Sequence, residues 1–306
     1  MEKIKIFFRK VDWYFYKNIL KRSIIKRRLI DFEMFLDLSN PGISQTLALN
    51  KVREADKVLL IKEYLKPHMT VLDCGSNIGF YPLLEAQILK EKGQIFSFEP
   101  DSRNYKVLEM NTNLCSYGKN IKLFNMAVSD KTGKARMILS TQSNLNRVFN
   151  TEEFYKFNGD LFDKSIEVKT ISIDMLCSMN NIQIDFIRMD VEGHEIEIFR
   201  GMKNTVKEAK SGLLVLVELH PDYYSDRRDF SAELSYFFNY GFVTKVLVSA
   251  GEVQPSLFKE LGYSPVRQVE SDGFLRGWYE NVSPEDAIRL TCFKPKLTRY
   301  LLLQKK

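Results

Sequence analysis

The stretch from Thr70 to Phe80, TVLDCGSNIGF, constrains the fold of this chain more than any other. Its first apolar residues predict a buried strand, and Gly75 and Gly79 predict a tight loop that leads into a helix. The motif from Phe96 to Pro100, FSFEP, lies on a second short buried strand, which is predicted to end at Glu99. The carboxyl ends of parallel strands meet at one edge of a sheet, where ligands bind. We therefore expect the loop and Glu99 to grip one nucleoside-like ligand from two sides.

The residue types indicate which ligand this edge binds. The loop spacing is G-x-x-x-G, and Asn77 stands at the middle position of the G-x-G-x-x-G loop that binds dinucleotides. Asp73 would repel a pyrophosphate but suits an ammonium group, and Glu99 suits a ribose diol. Asn125 and Ala127 end a third predicted strand at the same edge, where a side-chain amide can meet an adenine. A ligand with a ribose, an ammonium group and no phosphate is S-adenosylmethionine, which is the predicted cofactor.

Composition indicates a globular protein with one main domain. The chain has 306 residues, of which 44% are hydrophobic, and a net charge of +6. Its four cysteines are widely spaced and form no Cys/His cluster, which argues against a zinc site or a disulfide framework. No apolar run reaches membrane-spanning length and the N-terminus lacks a signal-peptide core, so we expect a cytoplasmic protein.

The positive charge is concentrated at the N-terminus. Residues 1–30 contain ten Lys or Arg against Glu2 and Asp12, which gives +8 and leaves about −2 for the rest of the chain. Residues 1–38 are predicted to form one amphipathic helix, because apolar residues recur every three or four positions between the cations. Such a helix suits an anionic membrane surface, which would place the protein on the inner face of the membrane. Packing on its own domain or on a second subunit is the alternative.

Strand and helix patterns alternate from residue 70 onward, which predicts an α/β fold with a mostly parallel sheet. Short strands over 134–139 and 166–171 flank a polar stretch, 140–164, that is expected to be a substrate lid. The interval 251–297 is predicted to be a cap or a loop. The strands of the main sheet are expected over 70–74, 94–99, 120–126, 184–189, 213–220, 242–249 and 299–304.

Titratable side chains collect where two of these strands end. Methyl transfer to oxygen is an in-line displacement that also requires removal of a proton from the acceptor. Glu218 and His220 lie two residues apart, so they share one face of a strand. With Asp190 they form either a carboxylate-oriented histidine base or an O,O,N site for Mg²⁺ or Mn²⁺. We favour catalytic roles for Asp190, Glu218 and His220 and leave the metal open.

Structural roles are the alternative for the neighbouring residues. Glu192 and Glu195 begin a predicted helix, where carboxylates stabilise the positive end of the helix dipole without taking part in chemistry. His194 lies in the same turn and is open to solvent on this interpretation.

Six motifs, in this order, resemble those of the FkbM-type S-adenosylmethionine-dependent methyltransferases. They are VLDCGSNIGF, FSFEP, NMAVSD, TISIDML, IDFIRMDVEGHEIEIFRG and VLVELH, and the resemblance covers about residues 40 to 221. The resemblance implies a Rossmann-like seven-stranded fold with an antiparallel last strand, and O-methylation of hydroxyls on sugars, glycolipids or polyketide-like molecules. It implies that Glu54 lines the cofactor pocket, and it carries cofactor contacts over to Asp73, Gly75, Asn77, Gly79, Glu99 and Asp190.

Together these features predict an O-methyltransferase that acts on a hydroxyl of a saccharide, a glycan or a lipid-linked glycan precursor. An arm at 1–38 would precede one methyltransferase domain at 39–306. The DVEG element at 190–193 differs from the Asp/Asn-Pro-Pro-aromatic element of enzymes that methylate nucleobase amino groups, so nucleic acid is not the favoured acceptor. Three alternatives remain: an RNA methyltransferase that uses the basic arm, a non-catalytic, membrane-associated binding module on the same fold, and an NAD-dependent oxidoreductase, whose pyrophosphate Asp73 and Asn77 fit poorly.

Overall fold

An N-terminal helix and a β-hairpin precede the main domain in the computed structural model, which describes residues 2–39, 41–150, 154, 163–225 and 228–306. Helix α1 (Glu2–Tyr14) continues as a π-helical turn (Phe15–Ile19). Strands β1 (Ile24–Arg28) and β2 (Glu33–Asp37) then pair antiparallel. Helices α2 (Pro41–Asn50) and α3 (Ala55–Tyr64) follow.

The prediction of one helix over residues 1–38 is wrong beyond Ile19. Met34, Leu36 and Leu38 are fully buried at a two-residue spacing, which suits a strand. All three belong to the hydrophobic core on one face of the main sheet. Packing against that core fixes the hairpin, and tertiary contacts of this kind override local propensity.

The strands and helices of the main domain follow from residue 70 onward, and every strand predicted in this part is present within two residues of its expected bounds. The helices are α4 (Phe80–Leu89), α5 (Ser102–Leu114), α6 (Ile173–Asn180), α7 (Glu195–Arg200), α8 (Lys203–Glu208), α9 (Ser231–Asn239), α10 (Ser256–Glu260) and α11 (Pro284–Thr291). The strands are β3 (Thr70–Cys74), β4 (Gln94–Phe98), β5 (Ile121–Phe124), β6 (Ala127–Val128), β7 (Gly133–Ile138), β8 (Arg147–Asn150), β9 (Ser165–Ile171), β10 (Phe186–Met189), β11 (Leu214–Glu218), β12 (Phe242–Ser249), β13 (Arg267–Ser271), β14 (Phe274–Tyr279) and β15 (Thr298–Lys305).

The main sheet contains nine described strands in the order β5-β4-β3-β10-β11-β15-β12-β14-β13. Strands β3, β4, β5, β10 and β11 run parallel to their neighbours among these five, and β15 lies antiparallel between β11 and β12. The seven strands from β5 to β12 form the Rossmann-like sheet with an antiparallel last strand that the family resemblance implies. The parallel strands bring the residues that follow β3, β4, β10 and β11 to one edge.

The interval 251–297 extends the main sheet, so its prediction as a cap or a loop is wrong. β14 pairs with β12, and β13 pairs with β14 at the outer edge. Arg276 in β14 is buried. Its Nη1 atom donates to Asp56 Oδ2 at 2.6 Å, and this partner, which lies in α3, allows the burial of the charge. A buried arginine interrupts the apolar pattern of a strand and depends on a distant partner, which explains why the sequence did not indicate β14.

A smaller sheet, in the order β6-β9-β7-β8, lies between β5 and α6 in the chain. The predicted lid over 140–164 connects two of its strands and includes β8. Its residues 151–153 and 155–162 lie outside the described residues.

Helices cover both faces of the main sheet. On one face, α3 and α4 pack with the β1-β2 hairpin in a core that includes Leu60, Leu83 and Leu214. On the other face, α6, α7, α9 and α11 pack around Ile187 and Val215. Burial on both faces explains why the parallel strands are continuously apolar in sequence.

Helix α1 contacts the domain with one side only. Trp13 is 6% exposed, and Arg9 Nη1 donates to the carbonyl oxygen of Leu49 at 2.6 Å. Among the described helices, none is both long enough and apolar enough to cross a membrane. The side facing away from the domain carries apolar residues that are 45–64% exposed: Ile4, Phe7, Phe8, Val11, Phe15, Ile19 and Leu20.

Candidate active site

The glycine loop between β3 and α4 touches the end of β10. Gly75 has φ +82°, and a Cβ atom there would lie 2.1 Å from the carbonyl oxygen of Asp190. Only glycine permits this approach. Gly79, at φ +98°, precedes α4 and packs against Leu108, so it shapes the loop and does not line the cavities described below.

Glu99 follows β4 and faces the loop, as predicted. Its Oε2 atom accepts from the Asn77 amide and its Oε1 atom from the Asp101 amide, both at 2.8 Å. The side chain is 5% exposed, and burial raises the pKa of Glu99 to about 8. These two amides hold the carboxylate at the wall of a cavity, with lone pairs left for a ligand.

This first cavity, which we call the cofactor cavity, runs along the carboxyl ends of β3, β4 and β10. The predicted residue Asn125 is not among those that line it, because its amide donates to the carbonyl oxygens of Glu99 and Pro100 at 2.8 and 3.1 Å. The lining includes Gly75, Asn77, Phe98, Glu99, Met126, Ala127, Met137, Asn144, Asn146, Asp190, Glu192 and His194.

Asp73 does not face the cofactor cavity. It is fully buried, and its Oδ1 atom accepts from Arg188 Nε. Arg188 Nη2 in turn donates to the carbonyl oxygen of Gly75 at 3.0 Å. The Asp73–Arg188 pair therefore supports the loop from below, and the contact with a ligand ammonium group that the sequence suggested stays a prediction.

Lys57 is a site residue that was not predicted from the sequence. It projects from α3 and is 1% exposed. Its Nζ atom lies 2.6 Å from Glu54 Oε2, 2.8 Å from Asp190 Oδ2 and 2.7 Å from Glu218 Oε2. Burial would lower the pKa of Lys57, but the three carboxylates outweigh burial and raise it above its ordinary value. Lys57 thus joins three predicted residues into one ion cluster.

Two arginines complete this ion cluster. Arg53 pairs with Glu54 Oε1, and Arg299 Nη2 lies 2.6 Å from Glu218 Oε1. Burial would raise the pKa of Glu54, but Arg53 and Lys57 hold it well below its usual range. Glu54 lines a neighbouring groove and not the cofactor cavity.

His220 lies directly after β11 and is held by a buried carboxylate. Its Nδ1 atom is 2.6 Å from Glu195 Oε1, and Glu195 Oε2 accepts from the Tyr224 hydroxyl at 3.1 Å. The Nε2 atom lies 3.6 Å from Glu192 Oε2 and 3.7 Å from Glu218 Oε1, beyond hydrogen-bond length. Burial would lower the pKa of His220, but Glu195, Glu218 and Glu192 raise it to about 9. Nε2 is left available to a ligand.

Glu192 and His194 have surroundings that differ from those expected for residues of an exposed helix turn. Glu192 lines the cofactor cavity and also a second cavity, described below, and burial raises its pKa to about 7. His194 is buried and not open to solvent: its Nε2 atom lies 2.9 Å from Ser129 Oγ. Glu195 begins α7, as expected, but it also orients His220.

His220 faces a second cavity, which we call the acceptor cavity. Its volume is about 230 Å³, and it shares Gly75, Asn77, Asn144, Asp190 and Glu192 with the cofactor cavity. It also opens toward a groove of about 890 Å³. The groove and the acceptor cavity share Ile43, Arg53, Asn144 and Arg299.

The three residues considered for a metal do come together. Ligand atoms of Asp190, Glu218 and His220 lie within 4.8 Å of one another. The ammonium group of Lys57, however, already lies at hydrogen-bond distance from both carboxylates. The set as it stands does not fit a divalent ion, because a cation of the chain occupies its acidic side.

One signal in the sequence pointed toward Lys57. Glu54 was expected near the site, and Lys57 lies one helical turn later on the same side of the chain. Its partners Asp190 and Glu218 are 133 and 161 residues away, so only the fold could identify it.

Comparison with known proteins identifies the family of this chain. A sequence model described as "Methyltransferase FkbM domain" matches residues 73–244. The chain is 29% identical over 169 residues to "Hexuronic acid methyltransferase AglP" of Haloferax volcanii, a match that covers 55% of this chain and 62% of that protein. It is also 29% identical over 154 residues to "2-O-methyltransferase NoeI" of Sinorhizobium fredii, covering 47% of this chain and 62% of that one. The chain thus spans about three fifths of the length of these relatives.

A solved structure, the methyltransferase FkbM from Methylobacillus flagellatus KT, shares 16% identity with this chain at a TM-score of 0.39. The match covers 70% of this chain and 44% of that one.

Proposed function

We propose that this chain, which belongs to the FkbM family of methyltransferases, is an S-adenosylmethionine-dependent O-methyltransferase that acts on a hydroxyl group of a saccharide. One observation carries the proposal: the cofactor cavity and the acceptor cavity share a wall that contains Asp190 and Glu192. The two cavities therefore adjoin, and a ligand in each would lie close to the other beside His220. Such proximity is the main requirement of a displacement reaction.

The residues of the cofactor cavity fit S-adenosylmethionine. Glu99 is held by two backbone amides and retains acceptor capacity for the hydroxyls of a ribose. Asp190 keeps its negative charge, because Lys57 and Arg188 outweigh burial and hold its pKa well below the usual range. When bound, S-adenosylmethionine supplies an electrophilic methyl group and leaves as a neutral thioether.

His220 is the proposed general base. Glu195 fixes the ring through Nδ1, so Nε2 faces the acceptor cavity and can take the proton from the acceptor hydroxyl. The acceptor loses its O–H bond as its O–CH₃ bond forms, and the proton ends on Nε2. Because the pKa of His220 is about 9, the ring must first lose its own proton, and the reaction should run faster as pH rises.

A hydroxyl-rich acceptor suits the lining of the acceptor cavity. Asn77, Asn144, Glu192 and Arg299 offer donors and acceptors around a volume of about 230 Å³. The groove beyond has room for further sugar units of a glycan or of a lipid-linked glycan precursor. Both curated relatives are named as methyltransferases, one of a hexuronic acid and one as a 2-O-methyltransferase.

Incubation with radiolabelled S-adenosylmethionine and separate saccharide, glycolipid and RNA fractions tests the proposal. We expect label in a saccharide or glycolipid fraction, and none with His220→Ala. Label in RNA alone would assign an RNA methyltransferase. Absence of S-adenosylmethionine binding by calorimetry would assign a non-catalytic module.

We also propose that α1 and the turn after it rest on an anionic membrane surface. The outward side carries Phe7, Phe8 and other apolar residues, with Lys5 and Lys10 exposed beside them. Apolar burial in the lipid interface combined with cation attraction is the binding mode of such helices. Co-sedimentation with vesicles that contain anionic lipid, but not with neutral vesicles, is the expected result. A dimer in solution without vesicle binding would assign this side to a second copy.

A further inference from the structure

The ammonium group of Lys57 contacts two of the three side chains that could hold a divalent ion, Asp190 and Glu218. Carboxylate oxygens of Glu54, Asp190 and Glu218 surround it at 2.6 to 2.8 Å. Two of its N–H groups donate to Asp190 Oδ2 and Glu218 Oε2, and Glu54 Oε2 adds an ion-pair contact. The Lys57 side chain is 1% exposed, so water does not compete for these contacts.

Two aromatic rings flank the ammonium group of Lys57. Its Nζ atom lies 4.7 Å from the ring centre of Tyr81 and 5.1 Å from that of Tyr300, so aromatic rings enclose it. Aromatic faces attract cations, which adds to the carboxylate contacts.

Each carboxylate around Lys57 has a second cationic neighbour. Glu218 Oε1 lies 2.6 Å from Arg299 Nη2, and Asp190 Oδ2 lies 3.7 Å from Arg188 Nη1. Together with Lys57, these arginines balance the negative charge that would attract Mg²⁺ or Mn²⁺. A divalent ion at this point would also face the repulsion of the ammonium group a few ångströms away.

We propose that Lys57 is a built-in cation that replaces a divalent metal ion and positions Asp190 and Glu218 beside His220. Because it rests on the proposed function, the inference makes methyl transfer by this chain independent of metal. Lys57 touches neither ligand in this arrangement and is a positioning residue. Its role is to keep two carboxylates fixed at the wall between the cavities.

Mn²⁺ binding tests this directly, since it can be followed by the electron paramagnetic resonance of free Mn²⁺ without an enzyme assay. We expect no Mn²⁺ binding by the wild-type chain or by Lys62→Ala, which changes a half-exposed lysine of the same helix. Lys57→Ala leaves three carboxylates without their shared cation and should bind one equivalent. Adding Glu218→Gln to Lys57→Ala should remove that binding.

Two results would overturn the inference. One is a wild-type chain that binds one Mn²⁺ and loses it with Glu218→Gln. The other is a folded Lys57→Ala chain, verified by circular dichroism, that binds none. Should Lys57→Ala not fold, Lys57→Gln removes the charge with less loss of volume and is judged by the same criterion. Because the measurement needs no acceptor, failure to find a methylated product would count against the proposed function and not against this inference.

Discussion

The ion cluster and the outward side of α1 are opposite exceptions to the rule that charge lies outside and apolar groups inside. In the ion cluster, the side chains of Lys57 and Glu218 are 1% and 3% exposed. On α1, Phe7 and Phe8 are more than 60% exposed. Buried charges persist only when they are paired, whereas an exposed apolar surface needs no partner to fold but invites one. The first region can therefore hold fixed geometry for chemistry, and the second can set location.

His220→Ala should have the largest effect, and it tests whether the buried region acts in catalysis. Loss of a general base lowers the rate by about 10²- to 10⁴-fold. S-adenosylmethionine affinity should change little, because the lining of the cofactor cavity does not include His220. Turnover and calorimetry measure the two quantities. His68→Ala, which changes an exposed histidine, is the control; normal turnover of His220→Ala would remove this residue from the mechanism.

Glu99→Ala should separate cofactor binding from membrane binding. Removal of a buried hydrogen-bonding group that lines the cofactor cavity should weaken S-adenosylmethionine binding by about 1 to 3 kcal/mol. Calorimetry measures this, and vesicle binding should stay the same. Glu109→Ala changes an exposed carboxylate on α5 and serves as the matched control. Unchanged affinity of the Glu99 variant would mean that the ribose lies elsewhere.

The double substitution Phe7→Ser with Phe8→Ser tests the exposed region. Burial of one Phe side chain contributes about 1.5 to 3 kcal/mol, so vesicle partitioning should fall by at least about tenfold. Stability should stay within about 0.5 kcal/mol, because these are surface positions. Met179→Ser, a 71% exposed apolar residue on α6, is the control. Equal vesicle partitioning of the wild type, the double variant and the control would show that Phe7 and Phe8 do not bind the membrane.

Glu195→Gln should have the smallest effect, a shift in the pH profile. The raised pKa of His220, about 9, keeps the ring protonated at neutral pH, so kcat/KM should rise with pH up to that value. Without the Glu195 charge the imidazolium loses its main stabilising partner. The rising limb should then move to lower pH by about one unit. Glu208→Gln, at an exposed position on α8, should leave the limb in place; a shift toward higher pH in Glu195→Gln would contradict this orientation of the pair.

The difference between the two regions also explains how well each was predicted. The amphipathic spacing over residues 4–19 predicts a helix that the structure contains, because helix periodicity is local. Its continuation to residue 38 failed, because burial of Leu36 and Leu38 is decided by other parts of the chain. The strand ends that carry Glu99, Asp190 and His220 were located from sequence, but the contacts of these residues were not.

The sequence by itself determined the order of strands and helices, the glycine loop and the edge at which Glu99 and Asp190 lie. These depend on apolar periodicity and on the conformational freedom of glycine, which act over a few residues. Only the tertiary structure decided that Asp73 supports the loop through Arg188, and that Lys57 joins Asp190 to Glu218. The reason is physical: a buried ion is tolerated only beside its partner, and the partners of these side chains lie more than a hundred residues away.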